Sequence, residues 1–236
     1  MPSTHDKAGR PIVVATGIGV VTSLGAGKTE NWSKLTAGQS GIHAITRFAT
    51  DGLKTRIAGT IDFVPLEPLS APELSERLAD MVAEEAIAQS GIGASGDFPG
   101  PLFLAVPPIE MEWLQRRNLA AASGSNDSIS YDDLLRASGS GRFNEYHRRF
   151  MFGSVADQLA EKFGTKGSPI SLSTACASGA TAIQLGIEAI RRGETNAALC
   201  IGTDGSVNTE SLIRFSLLSA LSTTNEIGRA SCRERV

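Results

Sequence analysis

Cys176 lies in the run Ser173-Thr174-Ala175-Cys176-Ala177-Ser178-Gly179, between an apolar stretch and an amphipathic one. That spacing predicts a strand, a tight turn carrying a thiol, and a helix. A thiol at such a junction is placed to act as a nucleophile. Unpaired backbone N–H groups and the positive end of the helix dipole favour its thiolate. Ala175, Ala177, Ser178 and Gly179 are small and leave a substrate room to reach the sulfur. Taken alone, a cysteine after a strand is more often an inert packing residue. The rest of the chain has to decide.

The elements that would position Cys176 can be read from hydrophobic spacing. Residues 168–174 form an apolar run that predicts a buried strand. Ala180, Ile183, Leu185, Ile187 and Ile190 then recur at helical spacing over 177–192. Upstream, the pattern predicts strands over 11–16, 55–61 and 102–106, and helices over 29–37, 71–90 and 150–163. The helix over 71–90 is the clearest: Leu74, Leu78, Met81, Val82, Ala86 and Ile87 make one apolar stripe, and Gly91 supplies its end. A strand over 197–201 and a helix over 210–221 follow. Alternation of this kind implies an α/β fold with a mixed, mostly parallel sheet and helices on both faces.

Three segments stand apart. Residues 1–10 read as disordered. Residues 107–149 show little periodicity and read as an irregular insertion or cap. Residues 227–236 have the composition of translated vector or assembly sequence. The domain proper is 11–226.

Composition excludes several classes. The net charge of −3 lacks the basic surplus of a nucleic-acid binder. No segment approaches the ~20 apolar residues of a membrane span. The N-terminal residues carry no apolar signal-peptide core, which points to the cytoplasm. Three cysteines without metal-like or paired spacing suit a reducing compartment and no zinc or iron–sulfur site.

Across residues 16–226 the sequence resembles the N-terminal part of the β-ketoacyl synthases, with the synthase II type of the carrier-protein-dependent enzymes as the nearest subgroup. The resemblance is carried by Thr16-Gly17-Ile18-Gly19-Val20-Val21-Thr22-Ser23-Leu24-Gly25 and by Ala37-Gly38-Gln39-Ser40-Gly41-Ile42 with Thr46-Arg47-Phe48. It continues through Ile57-Ala58-Gly59 with Asp62-Phe63, the Cys176 motif, Arg191-Arg192-Gly193, Gly202-Thr203-Asp204 and Ala220-Leu221-Ser222-Thr223. It is weakest in 107–149, where Val106-Pro107-Pro108-Ile109-Glu110 replaces a Gly-rich turn.

That resemblance implies the N-terminal half of a thiolase-like fold. It implies a homodimer with the strand at 168–174 near the two-fold axis, and acyl carrier protein as partner. Cys176 would accept an acyl group, which a carbanion from decarboxylated malonyl-carrier protein then attacks. No cofactor is implied. The family's two catalytic histidines belong to a C-terminal half, so this chain is expected to be inactive alone.

Other motifs carry less. Gly17-Ile18-Gly19 suggests a dinucleotide loop, but Thr22 occupies the place of its third glycine. His5, His43 and His147 match no catalytic motif. Cys200 reads as core and Cys232 falls in the doubtful tail. Arg148, Arg149, Arg191 and Arg192 could meet an acidic carrier protein, whereas Arg77 sits among Glu73, Glu76 and Asp80. Two alternatives remain open: a polyketide ketosynthase, and a non-catalytic fragment or interaction module. Ala177-Ser178-Gly179 leans toward fatty acid synthesis, because polyketide enzymes often carry a serine-rich version.

Overall fold

The structure, a computed structural model, describes residues 4–66, 68–123 and 130–226, with His147 described by its backbone only. The tail expected to be foreign, with Cys232, lies outside the described residues. The elements run β1 (Val21–Thr22), β2 (Gly25–Ala26), α1 (Lys28–Thr36), β3 (His43–Ala44), β4 (Ile57–Ala58) and α2 (Ala71–Ser90). They continue with β5 (Leu102–Ala105), α3 (Trp113–Ala122), α4 (Tyr131–Gly139), α5 (Asn144–Arg149) and α6 (Ser154–Phe163). Last come β6 (Ile170–Leu172), α7 (Ser178–Arg191), β7 (Leu199–Gly202) and α8 (Thr209–Leu217).

A parallel sheet in the order β6-β5-β7 organises the chain. Its centre is β5, whose Phe103 pairs with Ile170 on one side and Cys200 on the other. Side chains alternate along a strand, so β5 feeds two cores. Leu102, Leu104 and Val106 meet Ala79, Ala83 and Ile87 of α2 and Val155, Leu159 and Phe163 of α6. Phe103 and Ala105 meet Ala182 and Ala189 of α7. Helices on both faces follow directly. The helix α2 has the bounds that its stripe predicts, with Pro72 in the first turn and left-handed Gly91 at the end.

Four expectations need correction. Among the described residues, 11–16 join no strand, Pro11 making only an isolated bridge with His5, and Val14 is 68% exposed. The extended chain beyond them lies along α2 instead, where Ile18 N donates to Gln89 Oε1 (2.8 Å) and Val20 N to Glu85 Oε2 (2.9 Å). A Cβ on Gly17 or Gly19 would overlap the Ala86 or Val82 carbonyl of α2. These glycines serve close packing on a helix, and the Ile18 and Val20 N–H groups between and after them are already bonded to α2 side chains.

Among the described residues of 107–149 the chain is largely helical, since α3, α4 and α5 lie there. Their signal is faint because α3 buries no residue and α4 only Ala137. A capping box between Ser130 and Asp133 starts α4. Residues 4–10, expected to be disordered, form a turn in which Asp6 Oδ1 accepts from Ala8 N and Arg10 N. The strand β6 is an edge rather than a buried strand, with Ile170 46% exposed.

The antiparallel β3–β4 pair leads into an ionic cluster. Arg47 Nη2 donates to Ile61 O and Asp62 Oδ1, both at 2.7 Å. Thr60 Oγ1 donates to Asp62 Oδ2 (2.7 Å), and His43 Nε2 lies 2.9 Å from the same oxygen. Burial raises the Asp62 carboxyl, but hydrogen bonds from Arg47, Thr60 and His43 outweigh it and hold the pKa at about 2. A carboxylate depressed in the folded state stabilises above its unfolded pKa of about 3.9 and loses that contribution as pH falls toward about 2. Asp62→Asn should therefore lower the Tm at pH 7. The gap from the unmodified chain should close between about pH 4 and about pH 2 in thermal melts. A gap constant across that window would exclude the charge as its source.

Candidate active site

Cys176 sits just beyond the C-terminal end of β6, at the edge of the sheet where parallel α/β proteins bind ligands. It is exposed, as are Ser173, Thr174, Ala175 and Ala177. The turn is tight because Ala175 takes a left-handed φ of 52°. Ala177 N then donates to Thr174 O and Ser178 N to Ala175 O, so α7 begins within two residues of the sulfur. No side chain caps α7. The geometry presents an accessible thiol at the head of a 14-residue helix, which suits attack on an electrophilic carbonyl.

The other candidates separate cleanly. Cys200 projects from β7 into the α7 face, where a Cβ on Gly186 would collide with its sulfur. Burial pushes its thiol up to about 11. Relative to an ordinary thiol this lowers the thiolate fraction at neutral pH by roughly 100-fold. Iodoacetamide at neutral pH should label Cys176 well before Cys200 in the native chain, as read by peptide mass mapping. Equal labelling would overturn the distinction.

His43 is held by Thr60 Oγ1 (2.7 Å), Asp62 and Gly41 O (3.1 Å), in the β3–β4 region. Among the four arginines weighed for a carrier protein, Arg149 pairs with Glu73 and Arg192 with Glu188 and Glu194. Between the start of α2, residues 107–113 and α8 lies a cleft lined by Pro107, Trp113 and Arg214. It does not include Cys176. Within it Arg214 and Arg116 pair with Glu110, Trp113 N donates to Glu210 Oε1 and Ala71 N to Glu112 Oε1. Sequence reasoning missed the hydroxyls around the turn. A serine two residues after Cys176 was the available signal.

A parallel sheet between helices with this strand–turn–helix is the N-terminal half of a thiolase-like ketosynthase fold. A solved complex of a type II PKS acyl-carrier protein with its ketosynthase bound to the hexaketide superposes with a TM-score of 0.71 at 26% identity, over 91% of this chain and 50% of that one. The ishigamide ketosynthase/chain length factor gives 0.65, also at 26% identity, over 90% of this chain and 52% of that one.

The chain belongs to the β-ketoacyl synthase family, since the model of the β-ketoacyl synthase N-terminal domain matches residues 10–234. It is 29% identical over 228 residues to a putative polyketide beta-ketoacyl synthase 1 of Streptomyces cyaneus, covering 91% of this chain and 51% of that protein. It is 30% identical over 216 residues to the chloroplastic 3-oxoacyl-[acyl-carrier-protein] synthase II of Arabidopsis thaliana, covering 90% and 39%. The chain thus spans about half the length, or less, of the curated relatives named here. Among the described residues no helix is long and apolar enough to cross a membrane.

Proposed function

We propose that the parent protein is a decarboxylative condensing enzyme with Cys176 as its nucleophile. The exposed thiol on the strained turn at the head of α7 carries this reading. The Cys176 thiolate attacks an acyl-carrier-protein thioester, the carbonyl–sulfur bond to the carrier breaks, and the carrier thiol leaves with a proton. Loss of CO2 from malonyl-carrier protein then supplies a carbanion. It forms a carbon–carbon bond to the acyl carbonyl and expels the Cys176 thiolate. The chain grows by two carbons without a redox or metal cofactor.

The finer assignment is to fatty acid elongation, as a homodimer acting in the cytoplasm on carrier-bound substrates. Ala177-Ser178-Gly179 supports it. A second reading, polyketide synthesis, is favoured by the identity to the Streptomyces cyaneus protein. The test is to give the intact parent protein acyl- and malonyl-carrier protein and weigh the products. One β-keto thioester two carbons longer supports elongation, and products that retain successive ketones support the polyketide reading. Turnover without release of CO2, or no turnover, removes the condensing assignment. On this proposal the 236-residue chain alone supplies the nucleophile but not the histidines that the family places elsewhere.

A further inference from the structure

We propose that Ser178 is a positioning residue: its hydroxyl clamps Ala175 in the left-handed conformation and so aims the Cys176 sulfur. The inference rests on Cys176 as the nucleophile. Ala175 is one of two non-glycine residues with positive φ among the described residues, the other being Ser219. Alanine disfavours that conformation because its Cβ crowds the following carbonyl, so something must hold it.

Ser178 Oγ does so on both sides. It accepts from Thr174 N at 2.8 Å, before Ala175, and donates to Ala175 O at 2.7 Å, after it. One proton and one lone pair are both used, and the hydroxyl brackets the strained residue. Thr181 adds a brace from the next turn. Its Oγ1 donates to Ala177 O (3.0 Å), which leaves Thr174 Oγ1 as donor in the 3.0 Å contact between the two threonines.

The direction of the Cys176 side chain depends on the backbone angles just before it. If Ala175 relaxes to negative φ, the following peptide turns and the sulfur leaves the head of α7. Ser178 would thus act on the reaction through the backbone without touching the reacting atoms. A serine that merely begins a helix would change the melting temperature and leave the thiol's reactivity alone.

In the intact parent, Ser178→Ala should slow alkylation of Cys176, read by peptide mapping, by about tenfold. That is the rate equivalent of ~1.4 kcal/mol lost from the clamp. Acylation by an acyl thioester should fall alike, in kcat with little change in KM. Ser178→Thr keeps the hydroxyl and should stay within about threefold of the unmodified protein. Adding Ala175→Gly to Ser178→Ala should recover most of the loss, since glycine adopts positive φ without penalty.

Ser178→Ala within about twofold of the unmodified protein overturns the proposal. So does Ser178→Thr as slow as Ser178→Ala, or a double variant with no recovery. Should Ser178→Ala fail to fold, the double variant decides: recovered folding and labelling support the clamp, and their absence rejects it. Alkylation reports on the clamp even if Cys176→Ala retains acyl transfer, so the two readings fail separately.

Discussion

Replacing Cys176 by alanine in the intact parent protein should abolish the acyl-enzyme and cut condensation by at least about 10⁴-fold. Removing a nucleophile deletes the covalent path rather than weakening a contact, and effects of that size follow. Mass spectrometry after incubation with an acyl thioester should show the mass increase on the peptide bearing Cys176. It should be missing in the variant. Cys200→Ala is the control: that thiol lies half-buried against α7 with its pKa at about 11, so its loss should cost about 1 kcal/mol of stability and leave acyl transfer intact. Acylation that survives in Cys176→Ala, or disappears in Cys200→Ala, would move the chemistry off the turn at the head of α7.

Gly164→Ala should sharply destabilise the fold, because it combines a positive φ with a backbone clash. Gly164 ends α6 with a φ of 62°, where its N–H bonds to Ala160 O. A Cβ there would overlap the Gly96 carbonyl and stand 2.9 Å from Asp97 N. Next to it, Phe98 N donates to the carbonyl of the fully buried Phe163 (2.9 Å), so the loop cannot retreat without opening the core. The left-handed conformation costs alanine roughly 1–2 kcal/mol, and overpacking a close contact adds about 1–3 kcal/mol. Together they amount to about 2–5 kcal/mol, a Tm lower by roughly 4–20 °C for a chain of this length. Gly193→Ala separates the two terms. Its φ is 74°, but no atom lies within 4 Å of the added carbon, so only the conformational cost applies. Equal losses from the two variants in thermal melts would show that the close approach to Gly96 contributes nothing.

Much of this arrangement is local and therefore legible in the amino-acid order. The stripe from Leu74 to Ile87, with Gly91 behind it, sets the limits of α2 because helical periodicity and a left-handed cap are properties of adjacent residues. The same holds for Cys176 at a strand-to-helix turn, since the residues on either side change period at that point. Small residues around the sulfur likewise declare that it is accessible. The short helices of 107–149 escaped because α3 buries nothing and α4, nine residues long, buries only Ala137, so neither repeats a buried position often enough to show a period.

Partner choice was decided elsewhere. Nothing in the apolar run at 11–16 says that it finds no strand, or that the chain after it gives its N–H groups to Glu85 and Gln89 from the far side of α2. Nor does composition place β5 between β6 and β7, or leave Ile170 on an edge. Such pairings join residues dozens of positions apart, and their energy depends on which surfaces meet. The amino-acid order by itself determined the turn that carries Cys176 and the class of fold. Only the tertiary structure set the Ser178 hydroxyl across Ala175, because hydrogen-bond geometry exists only once the chain has closed on itself.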